Sequence, residues 1–318
     1  MNNYRICAVV VTYNRKDLLE QCVKAILNQT FKISKLIIID NASTDGTRLM
    51  LVQNEYMSNP VIDYTLMGKN IGGAGGFYEG LKRALKFSPD WVWLMDDDTI
   101  PTPTCLNELL KGYSYIATHQ KVSFLASTVY GDNDEYMNVP SLSQKSAPNG
   151  YPYWYEYLEK GIVSISVATF VSILINSDAI KQCGLPDPDF FIWGDDTEYT
   201  YRLTSFYGDA FFVGSSKAIH KRVIKKPLSI ETETDIKRIK LHHYDYRNTV
   251  IFNQYYKMRF ARTRAFASLL LSVRYLFQNH GYTKMKTRII GILEGLIQYP
   301  RFKKYIDEQL LYGYRLET

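Results

Sequence analysis

Four cysteines in 318 residues, Cys7, Cys22, Cys105 and Cys183, form no Cys-x-x-Cys pair. Their scatter excludes a disulfide framework and a thiolate zinc site, and leaves buried thiols in a reducing compartment. The first strand-to-helix turn has no Gly-x-Gly-x-x-Gly, and no P-loop sequence occurs anywhere, which argues against dinucleotide and P-loop chemistry. No apolar run approaches the roughly 20 residues that a membrane-spanning helix needs; in the C-terminal part the longest covers residues 265–273. Met1-Asn2-Asn3-Tyr4-Arg5 leads straight into a strand-like segment, without the positive stretch, apolar core and cleavage site of a secretion signal. A cytoplasmic protein is therefore expected. Internal repeats and low-complexity segments are also missing.

What is present is unevenly charged. The net charge of +6 combines 21 Lys and Arg against 8 Asp and Glu from residue 215 onward with 17 against 24 before it. An acidic first part therefore carries a basic tail. Nucleic acid is a poor partner for it, because the negative first two thirds would repel a polyanion. The 26 Tyr suit polar clefts or a ring-rich sheet surface equally well.

The most informative stretch is Trp91-Val92-Trp93-Leu94-Met95-Asp96-Asp97-Asp98. Five apolar residues suit a strand buried on both faces, and three adjacent carboxylates then end it. Such a triplet could be an acidic turn capping a helix after Pro103. In an open α/β sheet, however, ligands bind at the strands' C-terminal edge, and a divalent cation is the natural neutraliser there.

The preceding chain alternates strand and helix. Residues 5–12 and 36–39 read as buried strands, with a helix between them on the stripe Leu18, Leu19, Cys22, Val23, Ile26 and Leu27, and with Asn14 as its expected N-cap. Residues 61–66 read as a third strand. This spacing predicts a parallel, doubly wound sheet. At its edge, Arg15 could pair with a phosphate, and Asp40 could accept from a ribose hydroxyl or a base. The run from Gly68 to Phe77, with five glycines and Asn70, is expected to be a loop that hugs a ligand before a short helix.

Further on, residues 122–129 read as a strand, and 130–160 as a long polar loop holding Tyr151-Pro152-Tyr153-Trp154-Tyr155, whose rings suit an acceptor-side flap. Apolar strands return over 161–175. Asp195 and Asp196 follow Phe190-Phe191-Ile192-Trp193-Gly194, and burial behind such a wall would raise a carboxyl toward a general base. Two short strands, 210–213 and 217–219, are expected to end at His220. From Asp235 the pattern is helical, and between Lys257 and Phe277 four arginines alternate with apolar residues, as in a helix lying on anionic lipid or covering a protein face.

Val10-Val11-Thr12-Tyr13-Asn14-Arg15, Ile39-Asp40-Asn41-Ala42-Ser43-Thr44-Asp45-Gly46-Thr47 and Asp96-Asp97-Asp98 together resemble the nucleotide-sugar half of inverting family 2 glycosyltransferases. The resemblance implies an α/β, GT-A (Rossmann-like) fold: a mixed central sheet flanked by helices over residues 1–234, followed by a basic helical region over 235–318. It implies that Thr12, Tyr13, Asn14, Arg15, Asp40, Asn70, Gly73, Asp96 and Asp97 surround the nucleotide sugar, and that Asp96 and Asp98 hold Mn²⁺ or Mg²⁺. His220 stands where metal-dependent members keep a third ligand, and its imidazole favours Mn²⁺. Asp196 would deprotonate the acceptor while Trp193, Asp195 and, from the flap, Trp154 hold it. The glycine run, the triplet and residues 193–196 look most like bacterial galactofuranosyltransferases, which implies a UDP-galactofuranose donor and a lipid-linked glycan acceptor. Transfer of rhamnose from dTDP-rhamnose is the competing reading, and a non-catalytic nucleotide-binding scaffold is the alternative of another class. The basic helices would put the protein on the inner face of the membrane, or in a homo-oligomer.

Overall fold

The computed structural model describes residues 4–117, 120–222, 229–256 and 259–314. The first half is strand and helix in alternation: β1 (Ile6–Thr12), α1 (Lys16–Leu27), β2 (Lys35–Asp40), α2 (Thr47–Gln53), β3 (Ile62–Leu66), α3 (Gly72–Leu85) and β4 (Trp91–Asp96). All seven residues of β1 are buried. Its alternate side chains divide between two cores, Ile6, Ala8 and Val10 packing with α1 and Cys7, Val9 and Val11 packing with α3. Burial on both faces is why this strand reads as an unbroken apolar run.

The four strands lie parallel in the order β3, β2, β1, β4. The sheet then becomes mixed. After β5 (Thr99–Pro101), α4 (Cys105–Ile116), β6 (Val122–Tyr130), β7 (Tyr136–Met137), β8 (Ser141–Leu142) and β9 (Ile162–Val167), strand β10 (Ile173–Asn176) inserts antiparallel between β4 and β6. Helices α5 (Ser177–Cys183) and α6 (Asp195–Phe206) follow, and β11 (Asp209–His220) pairs parallel with β6 and antiparallel with β9. The resulting order is β3-β2-β1-β4-β10-β6-β11-β9-β8, with helices on both faces.

Several local expectations change. The two expected closing strands are one, β11, whose register shifts between Val213 and Lys217. The segment 131–160 carries the short β7 and β8 and a 3₁₀ turn, Leu158–Lys160. The glycines expected in a ligand loop open α3 instead. A Cβ on Gly76 or Gly80 would stand 2.4 or 2.3 Å from Cγ1 of Val11 or Val9, so these glycines let the helix lie close on β1. Asn14 does not cap α1. The N-cap is Arg15, without a side-chain hydrogen bond, and Asn14 sits in the left-handed region at φ 54°.

The C-terminal region folds as α7 (Ile236–Tyr256), α8 (Ala261–Leu270), a 3₁₀ segment (Leu271–Phe277) and α9 (Gly281–Tyr312). Ile251 of α7 and Phe302 and Ile306 of α9 bury against Ala74 and Phe190. Lys257 and Met258, where the basic apolar stretch was expected to begin, lie outside the described residues. Among the described residues no helix is long and apolar enough to cross a membrane.

Candidate active site

Strand pairing sets Thr12 beside Asp40, and Val11 beside Asp96, along one edge of the sheet. The Tyr13–Arg15 turn leaves that edge. Tyr13 is exposed there, and Asn14 Oδ1 accepts from the Thr44 amide at 2.7 Å, latching residues 41–47 to the first turn. Asp40 is fully buried, its two oxygens held by the Ser43 amide at 2.7 Å and the Tyr64 hydroxyl at 2.8 Å. Asn70 Oδ1 accepts from the Gly72 amide at 2.8 Å and so fixes the start of α3. A Cβ on Gly73 would meet open space, leaving room for a group close to the backbone.

The acid triplet caps no helix. Thr12 Oγ1 donates to Asp97 Oδ2 at 2.7 Å, and Arg15 Nη1 bonds Asp97 Oδ1 at 3.1 Å and Asp98 Oδ2 at 2.6 Å. Strand β5, too short to leave a sequence signal, pairs Thr99 with His220 and so brings the end of β11 to the triplet. His220 Nε2 then lies 3.0 Å from Asp98 Oδ1. His220 Nδ1 faces Asn138 Oδ1 at 2.8 Å, so Nδ1 donates and Nε2 is aimed at the carboxylates.

One ligand atom from each of Asp96, Asp98 and His220 lies within 4.8 Å of the others. Asp98 Oδ1 is buried and makes no aligned hydrogen bond in spite of the short approach of Nε2. An orphaned buried oxygen facing an imidazole nitrogen, beside a second carboxylate, fits a divalent cation with mixed N and O ligands.

Burial and neighbouring charge act on all three acids. Burial, then the charges of Asp98 and Asp97, lifts Asp96 well above the usual carboxylate range. Burial pushes Asp97 up to about 6 against the pull of Arg15. Burial also acts on Asp98, but His220 and Arg15 outweigh it and hold this carboxyl below its ordinary value.

The second acid pair lies close enough for the charge of Asp195 to add to the push on Asp96, and the segment before it is tied to α3 where the Phe191 carbonyl accepts from the Ala74 amide at 3.1 Å. Gly194, at φ 85°, turns the chain into α6, whose first residues are Asp195 and Asp196. Burial and then the charge of Asp196 push Asp195 up to about 8. Burial likewise raises Asp196, whose Oδ1 accepts from the Thr197 amide at 2.6 Å. Trp193 packs its ring on His242 of α7, centroids 4.9 Å apart. Trp154 lies against β9 instead: its carbonyl accepts from the Ser164 amide and its ring meets Tyr155. Sequence reading missed Tyr64, Asn138, His242, Arg247 and Asn248 as neighbours of the site.

Solved structures share this architecture. GalNAc-T7 with UDP, GalNAc and Mn²⁺ aligns with a TM-score of 0.62 over 97% of this chain and 58% of its own, at 14% identity. The mannosyltransferase PcManGT from Pyrobaculum calidifontis, in complex with GDP-Man and Mn²⁺, aligns at 0.53 over 99% and 77%, also at 14% identity. The fold is thus GT-A, the class of nucleotide-sugar transferases. The chain belongs to glycosyl transferase family 2, whose family model matches residues 7–184. It is 29% identical over 213 residues to the galactofuranosyltransferase GlfT1 of Mycolicibacterium smegmatis, a match spanning 62% of this chain and 65% of that protein. Over 117 residues, 35% of this chain and 37% of the relative, it is 32% identical to a GalNAc(5)-diNAcBac-PP-undecaprenol beta-1,3-glucosyltransferase of Campylobacter jejuni.

Proposed function

We propose that this enzyme is a metal-dependent, inverting galactofuranosyltransferase that moves the sugar from UDP-galactofuranose onto a lipid-linked glycan in cell-surface polysaccharide synthesis. The observation that carries the reading is the convergence of Asp96, Asp98 and His220 close to a second acid pair, Asp195 and Asp196, whose charge reaches Asp96. The likeness to GlfT1 favours galactofuranose over rhamnose from a dTDP donor.

Asp96, Asp98 and His220 would hold Mn²⁺ or Mg²⁺, and a cation there supplies the charge that stabilises the departing diphosphate. Thr12, Tyr13, Asn14, Arg15, Asp40, Asn70, Gly73 and Asp97 would frame the nucleotide, with the buried Asp40 bracing that wall through Ser43 and Tyr64 and Gly73 leaving an open backbone. Asp196 takes the proton of the acceptor hydroxyl through Oδ2, since Oδ1 is engaged by Thr197. The freed oxygen attacks the anomeric carbon from the face opposite the nucleotide, the bond to the diphosphate breaks, and configuration inverts. Trp193 and Asp195 hold the acceptor, and Trp154 would join them only if its segment moved in.

A second assignment has its own support: Asp195 is raised to about 8, which suits a base working near neutrality. Asp195→Asn and Asp196→Asn decide between the two. The base variant loses about 10²- to 10⁴-fold in turnover and keeps UDP affinity; equal loss of both properties in both variants would contradict the reading.

The C-terminal helices would bind the inner, cytoplasmic face of the membrane. From residue 246 to 293 there are nine Lys and Arg and no Asp or Glu. Leu270 and Phe277 are 80% and 90% exposed, with Arg259, Arg262, Arg264 and Lys286 exposed nearby. An apolar surface rimmed by cations suits anionic lipid. The same face on a second copy of the chain is the competing occupant.

A further inference from the structure

The segment before the second acid pair has a backbone that its residues do not favour. Phe191 lies at φ 61° and ψ −62°, Trp193 at φ 61° and Gly194 at φ 85°. The Ile192 amide bonds the Phe190 carbonyl at 2.7 Å, closing a γ-turn of the rare, positive-φ hand around Phe191. Side-chain-bearing residues keep such angles only where their surroundings impose them, and such places cluster at functional sites.

Here the surroundings are supplied by α7, far away in sequence. Asn248 Nδ2 donates toward three carbonyls, Phe190 at 3.0 Å, Ile192 at 3.2 Å and Trp193 at 2.6 Å. Two hydrogens serve three acceptors, so the contacts are shared. Arg247 Nε bonds Asn248 Oδ1 at 2.9 Å, which turns the amide nitrogen toward the turn. Arg247 Nη2 adds bonds to the carbonyls of Asp189 at 2.6 Å and Phe190 at 3.0 Å. Both residues are buried. The Phe191 ring stacks on Tyr244 with centroids 4.8 Å apart, and its carbonyl accepts from the Ala74 amide at 3.1 Å, tying the turn to α3.

We infer that Asn248, oriented by Arg247, is the positioning residue of the acceptor half of the site. Its carboxamide holds the strained turn so that Trp193 and the start of α6 face the cation cluster. The inference rests on reading Trp193 to Asp196 as that half. It makes the C-terminal helices part of the catalytic unit, in addition to any membrane role.

A purely structural side chain satisfies buried carbonyls and does nothing more, and two readouts on the full chain separate the cases. The first is acrylamide quenching of Trp193 fluorescence in the parent and in Asn248→Ala, each taken as the difference from its Trp193→Phe counterpart. The second is cleavage of UDP-galactofuranose with Mn²⁺, alongside UDP affinity and melting temperature. A positioning role predicts that quenching rises, turnover falls about a hundredfold, and UDP affinity is kept. A structural role alone lowers the melting temperature and scales turnover with the folded fraction, leaving the Michaelis constant for donor and the Trp193 quenching of the folded fraction unchanged. Unchanged quenching, or a rise without loss of turnover, overturns the inference. If Asn248→Ala does not fold, Asn248→Gln, which keeps the donors on a longer arm, is measured by the same criteria. A parent chain that cleaves no donor would contradict the proposed function, and the quenching result would still decide whether Asn248 holds the turn.

Discussion

His220 Nε2 lies 3.0 Å from Asp98 Oδ1 although 122 residues separate them, because the three-residue strand β5 pairs with the end of β11. Asn138→Ala should weaken Mn²⁺ binding about 10- to 100-fold by freeing the imidazole, and His220→Ala, which removes a ligand, should weaken it more. Titration calorimetry with Mn²⁺ on the purified chain checks both, and unaltered affinity in His220→Ala would remove it as a ligand.

The acid pair sets a pH dependence. A general base works only when ionised, and burial holds Asp196 above its ordinary value of 3.8 and Asp195 up to about 8. Turnover should therefore rise with pH along a limb lying above the range of a free aspartate. Asp195→Asn should leave that limb in place if Asp196 is the base, since the charge acting within the pair is that of Asp196 on Asp195. Rate profiles under saturating donor and metal give the limb directly, and a limb at the free-aspartate value would show that neither raised carboxyl governs the rate.

Helix α3 depends on glycine at its contact with β1. Gly76→Ala would bring a methyl group to 2.4 Å from Val11 Cγ1. The overpacking should cost about 1 to 3 kcal/mol. Denaturant melts check the loss, whereas Gly73→Ala, pointing into open space, should leave stability nearly unaltered.

Much of this arrangement is legible in the sequence because the physics is local. An apolar run buried on both faces is its own signature, and three adjacent carboxylates cannot enter a core, so β1, β2, β4 and the acid-lined edge could be placed in advance. The glycines of α3 were misread because a small-residue helix face and a ligand loop share one composition. Strand β5 escaped because three residues carry no periodicity, and β11 was divided because its bulge interrupts the apolar pattern. Asn138 and Asn248 were invisible as partners, since each acts through contacts made only after distant segments meet.

The proposed membrane face has a separate test. Arg262→Gln with Arg264→Gln should reduce sedimentation with vesicles rich in phosphatidylserine or phosphatidylglycerol, and Phe277→Ser should reduce it further. Each removed charge is worth about 1 kcal/mol at such a surface. Equal sedimentation of variant and parent, or a salt-independent shift to dimers, would assign the face to a second copy of the chain.

The most direct test of the account is nucleotide release from UDP-galactofuranose, dTDP-rhamnose and other UDP-sugars by the purified chain, with Mn²⁺ and with a chelator. The account predicts UDP from UDP-galactofuranose, abolished by the chelator and by Asp98→Asn. Release of dTDP alone would transfer the assignment to rhamnose, and release indifferent to the chelator and to Asp98 would contradict the metal-centred site itself.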